Sequence, residues 1–369
     1  MNTESRLYLD HAATTPVLDV AQQAMMEGLA YWANPSSPHA EGRAARAALE
    51  DARRRIARAL DWDGEIILTS GASEAIAIAA ARTKAEHIIT SPVEHDAVLR
   101  VSQRAQRLTV GPHGRVYGAS LEQALWNTKG TAGRKERALV MIQSANNETG
   151  VLQDIEQLQP LIKTVDGILF VDASQTAGKM PLPDADMIAL SAHKLGGPPG
   201  IGALLIRDLG LLEAAGGQEK GYRPGTENLP AAMGFAAALE APRMWLQRAA
   251  DLRRELDHAI EVSGGMVVGK DSTRIPTIGS YAMPQVAQQA QLIQFDLAGI
   301  AVSAGSACSS GTLKPSHVLE AMGWAVARTG GVVRVSFGPT TTRKDIHRFL
   351  ESWRSIASRA ASAPAPVYG

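Results

Sequence analysis

The chain contains a single cysteine, Cys308, among its 369 residues. One cysteine cannot form an internal disulfide, and metal clusters built on several thiolates are excluded as well. Lys and Arg total 37, and Asp and Glu also total 37, so the formal net charge is zero. The chain therefore lacks the basic excess that is typical of nucleic-acid-binding proteins.

Long apolar runs are also absent, since none approaches the roughly 18 residues that a membrane span requires. Residues 1–6, Met-Asn-Thr-Glu-Ser-Arg, contain no apolar signal core. We therefore expect a cytoplasmic protein without a membrane partner. The hydrophobic fraction of 45% and charged fraction of 20% allow a sizeable core. The length allows two domains or one large α/β unit.

Short apolar runs alternate with amphipathic or alanine-rich stretches over the first part of the chain. The predicted strands are Glu65–Leu68, His87–Thr90, Ala138–Gln143, Ile168–Val171, Met187–Leu190 and Gly202–Ile206. The predicted helices are Glu41–Leu60, Ser73–Ala85, Asp96–Ala105, Leu121–Asn127 and Ile155–Val165. This alternation indicates an α/β fold with a mainly parallel sheet covered by helices on both faces. Ligands of such sheets bind beyond the carboxyl ends of the strands.

One long helical stretch is predicted from Glu227 to Val262, with Pro230 and Pro242 as candidate breaks. Beyond it, short apolar pieces near 265–268, 300–302 and 332–337 mix with helices near 285–295, 316–322 and 343–360. We therefore place a domain boundary within the long stretch. The predicted large domain covers residues 13–254, and a smaller α+β domain combines residues 1–12 and 255–369.

Small polar residues follow the first predicted strand, in the segment Thr69–Glu74. Small side chains let the backbone approach a ligand, and a helix N-terminus offers free N–H groups, which suits a phosphate. The segment alone favours the other interpretation, an ordinary helix start with Ser73 as N-cap. A second polar strand end contains Asn146 and Asn147, whose amides can orient a ligand or serve only a turn.

Two charged residues follow apolar strands further along the chain. Asp172 ends the run Ile-Leu-Phe-Val, and a buried carboxylate there needs a partner, either a protonated ring nitrogen or a salt bridge. Lys194 follows the next strand, beside His193 and a Gly/Pro loop, and a desolvated lysine can form a Schiff base. A carboxylate and a lysine of this kind, together with a phosphate loop, are expected around pyridoxal phosphate.

Cys308 lies in Ser-Ala-Gly-Ser-Ala-Cys-Ser-Ser-Gly, residues 303–311, which has no bulky side chain to pack around a thiol. Structural cysteines usually have apolar neighbours. The segment alone leaves two interpretations, an accidental thiol in a turn or a reactive one.

The ordered motifs of the chain resemble those of the cysteine desulfurases, in the class V aminotransferase group of fold type I pyridoxal phosphate enzymes. The resemblance covers nearly the whole chain and is carried by residues 8–16, 34–37 with His39, 93–95, 145–150, 171–173, 191–194, 225–228, 305–308, 315–319 and 333–336. Ser73 departs from the family pattern, which usually has threonine there, but it keeps the hydroxyl.

The resemblance implies a pyridoxal 5′-phosphate cofactor, bound covalently by Lys194. Asp172 would pair with its ring nitrogen, Gln175 with its ring oxygen, and His95 would stack on the ring and move protons. The implied cofactor-binding residues are Ala72, Ser73, His95, Asn146, Asp172, Gln175, Ser191, His193, Lys194 and Thr226. Thr226 would come from the partner subunit, which implies a homodimer.

The resemblance also implies the reaction, in which sulfur is removed from L-cysteine to give L-alanine and a persulfide on Cys308. Asn34, Asn146 and Arg334 would bind the substrate, and Lys194, Cys308 and His95 would be catalytic. A sulfur-acceptor protein follows, with an iron–sulfur scaffold, tRNA thiolation and other cofactor pathways all open. The alternatives are an aminotransferase, a selenocysteine lyase and a catalytically silent partner-binding paralogue.

Overall fold

The computed structural model describes residues 6–31, 33–128, 136–304, 315–324 and 331–362. Its strands are β1 (Leu7–Tyr8), β2 (Glu65–Thr69), β3 (His87–Thr90), β4 (Gln106–Arg107), β5 (Ala138–Gln143), β6 (Ile168–Asp172), β7 (Met187–Ser191), β8 (Gly202–Ile206), β9 (Met266–Val267), β10 (Ile278–Ala282), β11 (Ile300–Ala301) and β12 (Val332–Ser336). Its helices are α1 (Asp19–Leu29), α2 (Ala40–Ala59), α3 (Ala72–Arg82), α4 (Asp96–Val101), α5 (Gly118–Asn127), α6 (Ile155–Lys163), α7 (Leu229–Glu240), α8 (Trp245–Val262), α9 (Gln288–Leu297), α10 (His317–Ala321) and α11 (Arg343–Ser362).

A seven-stranded sheet has the order β2-β8-β7-β6-β5-β3-β4. The pairs from β7 to β4 are parallel, whereas β8 runs antiparallel to both β2 and β7. The prediction of a mainly parallel sheet is confirmed, with β8 as the strand that reverses direction.

Helices cover both faces of this sheet because its strands are apolar on both sides. On β6, Leu169 and Val171 join the cluster formed with α2, α5, α6 and α7. Ile168 and Phe170 join the opposite cluster, with α3 and α4. Successive side chains of a strand point to opposite faces, so a continuous apolar run is the signature of a strand buried on both sides.

A third apolar cluster lies around the antiparallel sheet β12-β10-β9. Helices α8, α9 and α11 pack there, and the rings of Phe295 and Phe349 stack with centroids 5.0 Å apart. Strand β1 pairs in parallel with β11. Leu7 and Leu9 therefore belong to this cluster, although they are far from its other members in sequence. The domain division at residue 254 stays a prediction, and that residue lies inside α8.

Proline positions explain how the predicted long helix divides. Pro230 lies in the first turn of α7, where a missing N–H costs little, so the helix continues through it. Ala241 is extended, with ψ 143°, because Pro242 follows it. The stretch is therefore two helices, α7 and α8.

The sequence analysis predicts no strand at β4 or β10, and it predicts α4 to end later than Val101, where the helix ends in the structure. None of the described helices is long and apolar enough to cross a membrane.

A buried ion pair joins α2 to the segment that precedes Thr226. Arg53 Nη1 and Nη2 donate to the two carboxylate oxygens of Glu219 at 2.7 and 2.9 Å. The same carboxylate accepts the Leu68 N–H at 2.7 Å, so it also contacts β2. Glu219 is fully buried at its side chain. This pair fixes the segment against the sheet.

We expect Arg53→Ala to lower the free energy of unfolding by about 3–5 kcal/mol, because it leaves the Glu219 carboxylate buried without its cation. Guanidinium denaturation measures the loss. Arg54→Ala is the matched control on the same helix, since Arg54 is exposed and paired with Asp51, and it should cost less than about 1 kcal/mol. Equal losses in the two variants would contradict this account of the pair.

Candidate active site

A cavity of about 510 Å³ lies beyond the ends of β2, β6 and β7. It is the place where ligands of parallel sheets bind. Eight of the predicted site residues line it: Ala72, Ser73, His95, Asp172, Ser191, His193, Lys194 and Arg334. These residues are far apart in sequence, so the fold brings them together.

One wall of the cavity is the start of α3. The N-cap position is Gly71, and no side chain caps this helix, so the interpretation of Ser73 as N-cap is wrong. A Cβ atom on Gly202 of β8 would lie 2.7 Å from Gly71 Cα. The loop therefore rests directly on β8, which needs glycine for this approach. The exposed Ser73 hydroxyl and the first N–H groups of α3 remain available to an anion.

Asp172 lies at the end of β6 and is 7% exposed. Its Oδ1 accepts hydrogen bonds from the backbone N–H and the hydroxyl of Ser174. Within the described ranges it has no ion-pair partner within 4 Å, so the salt-bridge interpretation is not supported there. Oδ2 likewise has no hydrogen-bond partner among these residues. The carboxylate is thus held on one side, and its other oxygen is left for a ligand.

Lys194 ends a short 3₁₀ helix that follows β7. The N-terminal segment holds this turn, because the Thr15 N–H donates to the His193 carbonyl at 2.8 Å and the Thr15 hydroxyl donates to the Lys194 carbonyl at 3.3 Å. Burial lowers the pKa of the Lys194 ammonium; Asp172 opposes this shift and Arg334 adds to it. A neutral amine is the form that attacks a carbonyl.

Two histidines line the cavity beside Lys194. His95 caps α4, and its Nδ1 accepts the Ala97 N–H at 3.1 Å, which leaves Nε2 to carry the proton of the neutral ring. Burial and then the Lys194 charge lower the pKa of His95. The same two causes lower the pKa of His193 to about 4. Both rings are therefore neutral near pH 7.

Arg334 reaches the cavity from β12, on the other sheet. Its Nη1 donates to the Asn147 carbonyl at 2.9 Å, and its Nη2 donates to Asp10 Oδ1 at 2.8 Å. Its Nε is buried and has no partner in the described part of the chain. The guanidinium therefore keeps donors for a carboxylate ligand.

Four predicted site residues do not line the cavity. Asn34 is exposed and accepts the Ser36 N–H. Asn146 is engaged by its own turn, since Oδ1 accepts from Glu148 and Thr149 while Nδ2 donates to the Val93 carbonyl at 3.0 Å. The other two are Gln175 and Thr226.

Gln175 donates from Nε2 to the Ala12 carbonyl at 3.0 Å, and its buried Oε1 has no partner among the described residues. Thr226 is exposed. Cys308 lies outside the described residues, so its predicted role is not tested by the geometry. The roles of these residues stay predictions.

Several cavity residues were given no role from the sequence. Ala12, Ala13, Ser174 and Ser303 all line the wall. Ser174 follows Asp172 by two residues, a spacing that favours a local hydrogen bond to the carboxylate. That spacing is a signal that the sequence does carry.

Comparison with known proteins identifies the family. The sequence model described as "Aminotransferase class-V" matches residues 7–349. The chain belongs to this aminotransferase family.

Curated relatives of this class V chain are cysteine desulfurases. Cysteine desulfurase IscS of Dictyoglomus turgidum is 36% identical over 95% of this chain and 96% of that protein. Cysteine desulfurase IscS 1 of Archaeoglobus fulgidus is 32% identical, over 98% and 99%. The resemblance predicted from the motifs is confirmed.

Solved structures agree with the fold class. A NifS-like protein from Rickettsia africae superimposes with a TM-score of 0.86 at 29% identity, over 96% of this chain and 99% of that one. The structure described as "SspA in complex with cysteine" gives a TM-score of 0.77 at 29% identity, over 91% and 100%. The predicted fold of the class V enzymes is confirmed.

His11, which is 4% exposed, provides a test of the electrostatics near the site. Burial, followed by the charge of Lys179, lowers the pKa of His11 from 6.5 to about 4. The unfolded chain therefore binds this proton at a higher pH than the folded chain does. Its contribution to the free energy of unfolding is complete above about pH 6.5 and is lost as the pH falls towards about 4.

We expect His11→Gln to weaken this pH dependence, measured as the difference between urea denaturation at pH 7 and at pH 5. His113→Gln is the control, because His113 is exposed, and it should keep the pH dependence of the wild type. An unchanged dependence in His11→Gln would show that this ring titrates alike in both states.

Proposed function

We propose that this protein is a cysteine desulfurase whose reaction takes place in the 510 Å³ cavity. The observation that carries the proposal is the convergence of Lys194, Asp172 and Arg334 on that cavity. A deprotonatable lysine, a carboxylate with a free oxygen and a buried guanidinium are the groups that the reaction needs. The curated desulfurase relatives support the same activity.

The class V family depends on pyridoxal phosphate, and the described residues fit this cofactor. Lys194 would bind it covalently, and Asp172 would accept the ring nitrogen proton at Oδ2, which has no partner within the described ranges. Gln175 retains a second N–H for the ring oxygen. His95 would lie against the ring face.

The phosphate would lie at the start of α3. Ala72, Ser73, Ser191 and His193 surround this end of the cavity. Burial and the Lys194 charge lower the pKa of His193 to about 4 in the absence of a phosphate, and the ring would contribute a hydrogen bond to the bound phosphate. The N–H groups of α3 supply the partial positive charge. Arg223 pairs with Glu74 at 3.0 Å, which offsets the carboxylate on this wall.

Bound pyridoxal phosphate supplies an electron sink for the charge that develops at the α-carbon of the substrate. Arg334 binds the carboxylate of L-cysteine and thereby fixes the direction of its Cα–H bond. Lys194, once free, takes the α-proton on Nζ. Asp172 would keep the ring nitrogen protonated. His95 would hold or move a proton at Nε2.

Cys308 completes the reaction. Its thiolate attacks the sulfur of the substrate, so a sulfur–sulfur bond forms while the carbon–sulfur bond breaks, and L-alanine is left after protonation. The sulfur remains on Cys308 as a persulfide for an acceptor protein, with an iron–sulfur scaffold as one candidate. Thr226, exposed in its own chain, would complete the phosphate site of a partner subunit. The proposed assembly is a homodimer, and a single-chain mass in solution would contradict it.

Asn146 and Asn34 have more indirect proposed roles. Asn146 holds the turn from which the Asn147 carbonyl contacts Arg334, and its second amide N–H remains for the cofactor or substrate. Asn34 would reach the substrate only from an exposed loop.

We expect Lys194→Ala to lose the covalent attachment of the cofactor. Borohydride reduction of the wild type, followed by peptide mapping, should place the cofactor mass on Lys194. The internal control is Lys179, a second half-buried lysine, whose pKa is lowered to about 7 by desolvation and by the charges of Lys194 and Arg243. A cofactor mass on Lys179 would overturn the assignment.

Brief exposure to L-cysteine without reductant should add the mass of one sulfur to Cys308. Intact-mass spectrometry and peptide mapping measure this adduct. Cys308→Ala should still bind L-cysteine but should release no sulfide when reductant is added. Sulfide release at the wild-type rate from Cys308→Ala would favour a lyase that needs no protein thiol.

A further inference from the structure

Arg334 of the cavity wall pairs with Asp10 of the N-terminal segment. Asp10 Oδ1 accepts from Nη2 at 2.8 Å. The Arg334 side chain is 5% exposed and that of Asp10 is 22% exposed, so the pair is largely shielded from water. A charge-assisted hydrogen bond in such surroundings is strong and directional.

The backbone around Asp10 is hydrogen-bonded to β12, the strand that carries Arg334, so the Asp10 carboxylate does not move with the Arg334 side chain. The Ser336 N–H donates to the Leu9 carbonyl at 2.8 Å, and the Ala12 N–H donates to the Ser336 hydroxyl at 2.8 Å. Tyr8 adds a hydrogen bond from its hydroxyl to the Asp10 carbonyl at 3.1 Å. The carboxylate therefore occupies a set place relative to β12.

The two contacts of Arg334 leave part of its donor set unused. A guanidinium has five N–H donors. Asn147 takes one from Nη1 and Asp10 takes one from Nη2, on separate nitrogens. Nε has no partner in the described residues. The long side chain, which otherwise samples many rotamers, is thus fixed from two directions with donors to spare.

We infer that Asp10 is a positioning residue that holds the Arg334 guanidinium in the orientation that receives the substrate carboxylate. The inference rests on the proposed function, in which Arg334 binds that carboxylate. Asp10 touches neither substrate nor cofactor in this role. Its contribution is to make the site ready before the ligand arrives, so that less conformational freedom is lost on binding. The negative charge of Asp10 also weakens the attraction of Arg334 for the substrate carboxylate. In this inference, the gain in binding from the fixed orientation of Arg334 is larger than that loss.

The test compares the binding of two ligands to the holoenzyme by calorimetry. L-alanine carries the amino group and the carboxylate, and ethylamine lacks only the carboxylate. Asp10→Ala should weaken L-alanine binding about tenfold, the usual effect of losing one hydrogen bond to a charged group. Asp10→Asn keeps an acceptor and should lose only about threefold. Ethylamine binding should be unchanged in both variants.

The kinetics should divide in the same way. The KM for L-cysteine should rise in Asp10→Ala while kcat stays within about twofold of the wild type, because uniform substrate binding is what is lost. If Asp10→Ala only destabilised the fold, the binding of L-alanine and of ethylamine would weaken to the same extent. Asp296→Ala is the matched control, because it removes the exposed ion-pair partner of Arg6, which lies in the same N-terminal segment as Asp10. This variant should leave the binding of both ligands unchanged.

Arg334→Ala separates the inference from the proposed function. If Arg334→Ala leaves L-alanine binding intact, the carboxylate role of Arg334 in the proposed function is wrong. If Arg334→Ala weakens binding while Asp10→Ala matches or exceeds the wild type, the role of Asp10 is overturned. Should Asp10→Ala fail to fold, Asp10→Asn decides: a selective loss for L-alanine supports the role, and unchanged binding overturns it.

Discussion

The candidate site depends on one constraint: the Lys194 ammonium is enclosed by the fold, and no carboxylate of the described residues pairs with it directly. Parallel strands deliver Asp172 and Lys194 to one edge of the sheet, but the described residues place no carboxylate within ion-pair distance of Nζ. Burial and Arg334 therefore work against the charge of Lys194, and Asp172 supports it. This balance lowers the pKa of the Lys194 amine, and a desulfurase needs an amine that can release and take up a proton. The backbone contacts of Thr15 keep the lysine turn in that environment.

The site is assembled from two sheets, and each contributes a different function. The large sheet provides Lys194, Asp172 and the start of α3, where we propose that the phosphate binds. Among the described lining residues, the small antiparallel sheet provides Arg334 on β12. The N-terminal segment connects them, because it pairs with β11 and β12 and also contacts the turn of Lys194. A shift of one sheet against the other would thus change the distance between the Arg334 guanidinium and the Lys194 amine.

Much of the fold and part of the site could be predicted from local patterns. The apolar run before Asp172 predicts a strand buried on both faces, and Pro242 predicts the break between α7 and α8. The direction of β8 could not be predicted, because an apolar strand reads alike in both directions. The Asp10–Arg334 pair joins residues 324 positions apart, and no local spacing reveals it. The sequence suggested that the Asn146 amide orients a ligand, but its side-chain oxygen accepts hydrogen bonds from the N–H groups of its own turn.

The placement of the N-terminal segment has a consequence for the order in which the chain folds. Leu7 and Leu9 contact residues 299–301 and 336, which are far from them in sequence. Neighbouring strands of the large sheet are closer together in sequence, so the large sheet can form before these long-range contacts close. Because Arg334 lies on the strand that the segment contacts, its position relative to Lys194 is set only at this late step of folding.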